Sequence, residues 1–424
     1  MKKSIALLMI TLLITTLFVG CGAAAATPEQ VPDAVSETSG EPSVVDGVVS
    51  LRVWAEESNW PVLQTMIDSF VAEYPQQQFD IVLEASNDAD TKNNVLSDVH
   101  GAADVFPIAD DQISALAAGG ALYPIANQDA VKAANNAGSV EAATIGDVLY
   151  AYPMTADNGY FLYYNKDYFT DADLQTMDGI LAVCEANGKL ITMDWGSGWY
   201  LYSFFGNCGF DFGINDDGVT NHCNWNAADT PIKGVDVANA MLRIAASSGF
   251  KNGGDDALAA GANDGSVIAG VSGCWKFTEM KAAWGDSVGA CKLPTYTVAG
   301  QQVQMASFKG YKYMGVNAYS KNPQWAAKLA EWLTNEQNQN LRFEMAQLGP
   351  SNLNAASSDA ITLVPSISAV TAQAEYGVLQ RVGNSYWDPM SVYGNKMANH
   401  NATGEDLQEL MDRMVAGITA SVAQ

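Results

Sequence analysis

Residues 150–169 read Tyr-Ala-Tyr-Pro-Met-Thr-Ala-Asp-Asn-Gly-Tyr-Phe-Leu-Tyr-Tyr-Asn-Lys-Asp-Tyr-Phe. Aromatic residues at both ends favour extended chain, while Pro153 and the small, polar run Thr155–Gly159 interrupt it. The pattern predicts two strands joined by a bend, with no helix between them. Two strands so joined need not share one sheet. The expectation is that the chain here leaves one α/β domain and enters a second, with Asp157 and Asn158 at the floor of the cleft between them.

Upstream of this point the order is strand, helix, strand. Val48–Trp54 reads as a strand and 60–74 as a helix with Leu63, Ile67, Phe70 and Val71 on one face. Pro75 ends the helix, and Phe79–Leu83 is the next strand. Ala103–Phe106 and a helix over Asp111–Gly119 follow, giving a parallel α/β arrangement. Downstream, Leu190–Met193 and Ser266–Gly273 read as strands. Helices are expected at 174–188, Trp199–Phe205 and 231–248, and a hairpin at Cys208–Cys223. The roughly 375 residues from Val48 onward are too many for one core and suit two domains.

The start of the chain has a different character. Lys2 and Lys3 precede an uncharged apolar run, Ile5–Val19, that ends in Gly20-Cys21. That length and basic start predict a signal peptide, not a membrane span. Leu17-Phe18-Val19-Gly20-Cys21 resembles a bacterial lipobox, which makes Cys21 the expected site of lipidation. Residues 22–47 are rich in Ala, Pro, Glu, Ser and Gly and cannot bury enough surface to fold. They read as a disordered tether, reaching on the order of 25–30 Å from the membrane.

The chain carries 21 basic and 47 acidic residues, a net charge of −26. Losing Lys2 and Lys3 with the leader makes it more negative. Such a balance argues against nucleic acid or an anionic membrane surface as partner. The three histidines, His100, His222 and His400, lie far apart, and no Cys-x-x-Cys occurs among the six cysteines. No metal site is therefore expected. In an exported chain, disulfides Cys208–Cys223 and Cys274–Cys291 are expected from spacing, leaving Cys184 single. No nucleophile elbow or phosphate loop is present, and no cofactor is implied.

Ten Trp and seventeen Tyr are the informative excess. Flat rings cover the apolar C–H faces of sugars, and carboxylates and amides meet the hydroxyls.

Ala151-Tyr152-Pro153 and Tyr164-Asn165-Lys166-Asp167 resemble the first crossover of extracellular solute-binding family 1, in its maltose/maltodextrin-binding branch. Asp104-Val105-Phe106 through Leu122-Tyr123-Pro124-Ile125 resembles that family too, as do Phe308-Lys309-Gly310 and Leu348–Asn352 at later crossings. The resemblance covers nearly all of 48–424. It implies an α/β two-domain periplasmic-binding-protein-like fold of type II, with discontinuous domains joined by hinge crossovers. The domains would be 48–154 plus 311–352 and 155–310 plus 353–424. It implies a monomeric, lipid-anchored protein on the outer face of the cytoplasmic membrane. Its ligand would be a carbohydrate of the maltodextrin type, delivered to the permease subunits of an ABC importer.

By family position the ligand-binding candidates are Glu56, Asn59, Trp60, Asp110, Asp111, Asp157, Trp199, Tyr200, Trp275, Tyr386 and Trp387. Gly273-Cys274-Trp275 matches the family's Gly-Pro-Trp and makes Trp275 the leading candidate. Trp54 is expected in the core. Ile108 stands where the family has a further stacking tryptophan. Alternatives are another oligosaccharide, or a polyamine boxed by acids and aromatics. A surface glycoside hydrolase would pair Asp157 with Glu56 or Glu57. Hydrogen-bond acceptor roles account more simply for these acids, so no enzymatic activity is expected.

Overall fold

A computed structural model of the chain describes residues 42–421. The signal peptide, Cys21 and most of the tether lie outside the described residues. Of the tether, 42–47 runs along the surface, where the Val45 N–H donates to Gln77 Oε1 at 2.9 Å.

Ten strands form one hydrogen-bonded path. They are β1 (Val48–Ala55), β2 (Gln78–Ala85), β3 (Val105–Ala109), β4 (Ala151–Asn165) and β5 (Leu190–Met193), followed by β6 (Phe250–Asn252), β7 (Val267–Gly273), β8 (Val288–Cys291), β9 (Ser307–Val316) and β10 (Gly377–Leu379). Their order is β6-β5-β7-β4-β9-β3-β1-β2, with β8 also on β4 and β10 on β9. β1 runs parallel to β2 and β3, as expected for strand–helix–strand units. In β1 the buried Val49, Leu51, Val53 and Ala55 alternate with more exposed residues, the period of a strand. The helix Trp60–Glu73 opens with Pro61 in its first turn and buries Val62, Leu63, Met66, Ile67 and Phe70.

Residues 150–169 fold differently from the expectation in one respect. Instead of two strands and a bend they form a single 15-residue strand, β4. Its first half pairs antiparallel with β9, and its second half with β7 and β8. Pro153 is accommodated opposite Tyr313, where the register with β9 shifts.

The core divides where β4 changes partners. One cluster gathers Val49–Ala151, Tyr152, Met154, Tyr313 and the helix around Trp325–Leu333. A second, around Tyr160, Leu162, Trp195, Phe204, Trp225 and Tyr386, covers one face of the β4 second half. A third, including Phe161, Tyr163, Cys274 and Phe277, covers the other. Alternation along a strand sends neighbours to opposite faces, so Tyr160/Leu162 and Phe161/Tyr163 serve different clusters.

The disulfide expectation is corrected: Cys184, Cys208, Cys223, Cys274 and Cys291 are all free thiols. Cys274 is buried in the third cluster, whereas Cys291 packs against the second. Cys208 Sγ lies 3.2 Å from the Phe204 carbonyl and 3.1 Å from the Tyr296 hydroxyl, while Cys223 sits across a short hairpin from Phe212. Nearness in sequence did not bring the sulfur atoms together.

A candidate sugar-binding groove around Trp275

β7 is buried along its whole length and ends at Gly273, and Trp275 follows in a single 3₁₀ turn. The indole folds back over the strand end. A Cβ at Gly273 would lie 2.0 Å from an indole carbon, so it is the glycine that lets the indole sit there. The indole N–H donates to Asp255 Oδ2 at 2.7 Å. Asp255, at the start of the helix Asp255–Asp264, also accepts from the hydroxyls of Ser272 at 2.7 Å and Tyr200 at 3.4 Å. A hydrogen bond to a carboxylate is among the stronger kinds, and it fixes the plane of a half-buried ring.

Opposite stands Lys312 on β9, between Ala109 of β3 and Thr155 of β4. Its ammonium lies 5.5 Å from the Trp275 ring centroid and 2.6 Å from Asp88 Oδ2. Glu56, just past β1, feels both sides of this groove. Burial pushes its carboxyl up and Asp88 adds to the rise, while Lys312 and Lys276 pull it back. Glu56, Asp88 and Lys312, beside β1, β2 and β9, thus interact with Trp275, Lys276 and Asp255 around the end of β7. The turn carrying Glu56 is closed by the Asn59 N–H donating to the Glu56 carbonyl at 2.9 Å. Trp60 is half-buried, its indole N–H donating to the Ala55 carbonyl at 3.3 Å. Trp54 packs against the first core, as expected, and donates to Glu84 at 3.1 Å.

The remaining aromatic candidates separate by exposure. Trp199 is half-buried, stacked on Phe308 with centroids 5.5 Å apart. Trp387 is half-buried and meets Tyr386 edge-on at 5.0 Å. Tyr386 is fully buried, and its hydroxyl donates to the Gly198 carbonyl at 2.8 Å. Tyr200 is buried against Tyr160 and serves through its hydroxyl on Asp255. Trp275, Trp199 and Trp387 therefore present ring surface, and the two tyrosines support them.

The predicted acids have protein partners. Asp110 is buried and takes an ion pair from Arg381 at 2.8 Å. Burial still holds its carboxyl above the usual range, against the pull of Arg381. Asp111 accepts from Gln380 at 2.8 Å and has a second, buried oxygen without a partner. Burial, with Asp110 beside it, pushes its carboxyl up to about 7. Asp157 is buried under the groove and accepts the Gly349 N–H at 2.5 Å, its carboxyl raised by burial. Glu57 is exposed.

Sequence reasoning missed Lys312, Asp88, Asp255 and Arg381. A lysine inside the aromatic strand Tyr311-Lys312-Tyr313 was a usable signal, because lysine is seldom buried unless paired. Asp88 and Asp255 follow Asn87 and Gly253-Gly254, loop signals that place an acid at a strand end or helix start.

No group of three or more His, Cys, Asp or Glu among the described residues is placed to hold a metal ion. No helix among them is long and apolar enough to cross a membrane.

Comparison with known proteins follows this geometry. The family model for bacterial extracellular solute-binding proteins matches residues 65–369. The galactooligosaccharide-binding protein of Bacillus subtilis (strain 168) is 25% identical over 294 residues, which is 64% of this chain and 66% of that relative. A structure solved with acarbose has a TM-score of 0.79 at 24% identity, covering 88% of this chain and 99% of that one. The maltodextrin-binding protein MalE1 from L. casei BL23, solved without ligand, has a TM-score of 0.73 at 23% identity, covering 89% and 100%. These two likenesses are of fold, the two-domain type II arrangement of sugar-binding proteins. A family match over most of the chain decides membership: the protein belongs to the bacterial extracellular solute-binding proteins.

Proposed function

We propose that this protein is the lipid-anchored capture component of an ABC importer and binds a neutral oligosaccharide of the maltodextrin type. The carrying observation is the half-buried Trp275 indole, fixed by Asp255 at the end of β7. An aromatic plane held at a strand end, with hydroxyl-binding side chains around it, suits the stacking of a sugar ring. Trp199 and Trp387 would add further stacking surface. The two domains would be 48–154 plus 311–352 and 155–310 plus 353–424. The ligand would lie between them, and closure about the β4 and β9 crossings would bury it. Cys21 would carry the lipid, and the closed form would dock on the permease subunits outside the membrane. In this reading the chain binds its ligand without transforming it.

The B. subtilis relative's name supports a second reading within the same class, a galacto-oligosaccharide. A polyamine is disfavoured, because the Lys312 ammonium already stands over the Trp275 ring and neutralises Asp88. Calorimetric titration with maltotriose, a galacto-oligosaccharide and spermidine, alongside a product assay, tests the proposal. Binding of an oligosaccharide without product supports it; turnover of the sugar, or binding of spermidine alone, refutes it.

A further inference from the structure

The groove around Trp275 combines two opposed chemistries. Asp255 holds the indole N–H of Trp275, and Asp88, Glu56 and Asp157 act on the position beside its face, so that by residue type this is a box for a cation. These four acids outnumber the two lysines near them, Lys312 and Lys276, and Lys276 is itself paired with Glu279 at 2.8 Å. Yet one of the lysines occupies the box. The Lys312 ammonium is 5.5 Å from the indole centroid and 2.6 Å from Asp88. The indole is backed by the Gly273 main chain, where a Cβ would displace it. Lys312 is held in place along its stem, because it rises from β9 between β3 and β4 and only 25% of its side chain is exposed. Burial works against its charge, but Asp88, Glu56 and Asp157 together hold it protonated above its ordinary range.

We propose that Lys312 sets the ligand class: its ammonium fills the cationic position over Trp275, so that the groove refuses polyamines and amino sugars and admits uncharged rings. This rests on the sugar-capture reading and deepens it. A second cation on the indole would meet a like charge and find Asp88 already neutralised. A neutral ring meets no such repulsion, and it needs the ammonium to move only along the indole while keeping Asp88. Lys312 is then a specificity residue, and the same groove without it becomes a cation site.

The test is calorimetric titration of the whole protein with spermidine and with a neutral oligosaccharide, for wild type, K312M and K312R. K312M keeps most of the stem and removes the charge; K312R keeps the charge. The expected result is that wild type and K312R refuse spermidine, while K312M gains affinity for it on the order of tenfold or more. Thermal melting checks that each variant folds, and K312Q replaces K312M if it does not. Equal spermidine affinity in wild type, K312R and the uncharged variant overturns the proposal. A wild type that binds no oligosaccharide, beside an uncharged variant that gains spermidine, would count against the sugar reading and leave the role of Lys312 standing.

Discussion

Replacing Trp275 with alanine separates a binding ring from a structural one. The indole has three ties within the protein: the Gly273 backbone beneath it, the 2.7 Å hydrogen bond to Asp255, and the Lys312 ammonium at 5.5 Å. A hydrogen bond to a charged group contributes about 1.5–3 kcal/mol, and a cation–π contact about 0.5–2 kcal/mol. Asp255 keeps the hydroxyls of Ser272 and Tyr200, so it is not left unpaired. The ring is half-buried and open to solvent on one side, so its removal leaves no closed void. Both contacts are partly open to solvent, so the loss of stability should lie at the low end of their ~2–5 kcal/mol sum, about 2 kcal/mol, below the ~3–5 kcal/mol of deleting a buried tryptophan. The loss of affinity should be at least as large, on the order of 2 kcal/mol or more, as for a hot-spot aromatic. That corresponds to a Kd raised roughly 30-fold. Urea denaturation and calorimetry on one preparation give both quantities. An affinity unchanged within about twofold, with stability lowered by more than ~3 kcal/mol, would refute the reasoning and return Trp275 to the core.

Gly273→Ala should weaken sugar binding with little change in melting temperature, because the new methyl displaces the indole from a backbone whose φ of −114° suits any residue; an unaltered Kd would contradict the packing described. Arg381→Ala strands the buried Asp110 carboxylate and should cost on the order of 3 kcal/mol by urea denaturation, whereas a loss below ~1 kcal/mol would show the pair to be dispensable. Asp111 should make stability fall with rising pH. Its carboxyl titrates near ~3.9 when unfolded and at about 7 when folded, so the folded state holds the proton more tightly; its contribution is present at low pH and lost as pH rises through about 7. Asp111→Asn should flatten that decline in a melting series between roughly pH 5 and 8, and parallel curves would exclude Asp111 as its source. Thiol titration in denaturant should find all five of Cys184, Cys208, Cys223, Cys274 and Cys291 free, and a mapped disulfide among them would reverse the correction made above.

The architecture was legible wherever a local pattern settles a local structure. Leu190–Met193 forms the strand its sequence predicts, residue for residue, and the helix predicted at Trp199–Phe205 runs Gly198–Phe205. Those segments carry a clear period or are bounded by loop residues. Residues 150–169 were legible as extended chain interrupted near Pro153 but not as one continuous strand that changes partners along its length. Pro153 signals a break locally, and only the neighbouring β9, with its shifted register, lets the strand continue. At the groove, Trp275 could be singled out because its Gly-x-Trp signature is local. The partners of Asp110 and Asp111 could not, since Arg381 and Gln380 lie about 270 residues further on and no short-range rule joins them. Lys312 was lost for the same reason: its meaning comes from Asp88 and Trp275, which meet it only in the folded chain. The cysteines show the converse failure: closeness in sequence suggested two pairs, yet the faces of β4 separate Cys274 from Cys291, and Cys208 and Cys223 stay free within one cluster.

A structure of the protein with the oligosaccharide that titrates would test the central claim most directly. The account predicts a sugar ring stacked on the Trp275 indole, between the Glu56–Asp88–Lys312 group on one side and Asp255 on the other. A ligand seated elsewhere, such as the depression of about 700 Å³ beside Lys132, Asn135 and Glu141, with the Trp275 face untouched, would contradict it.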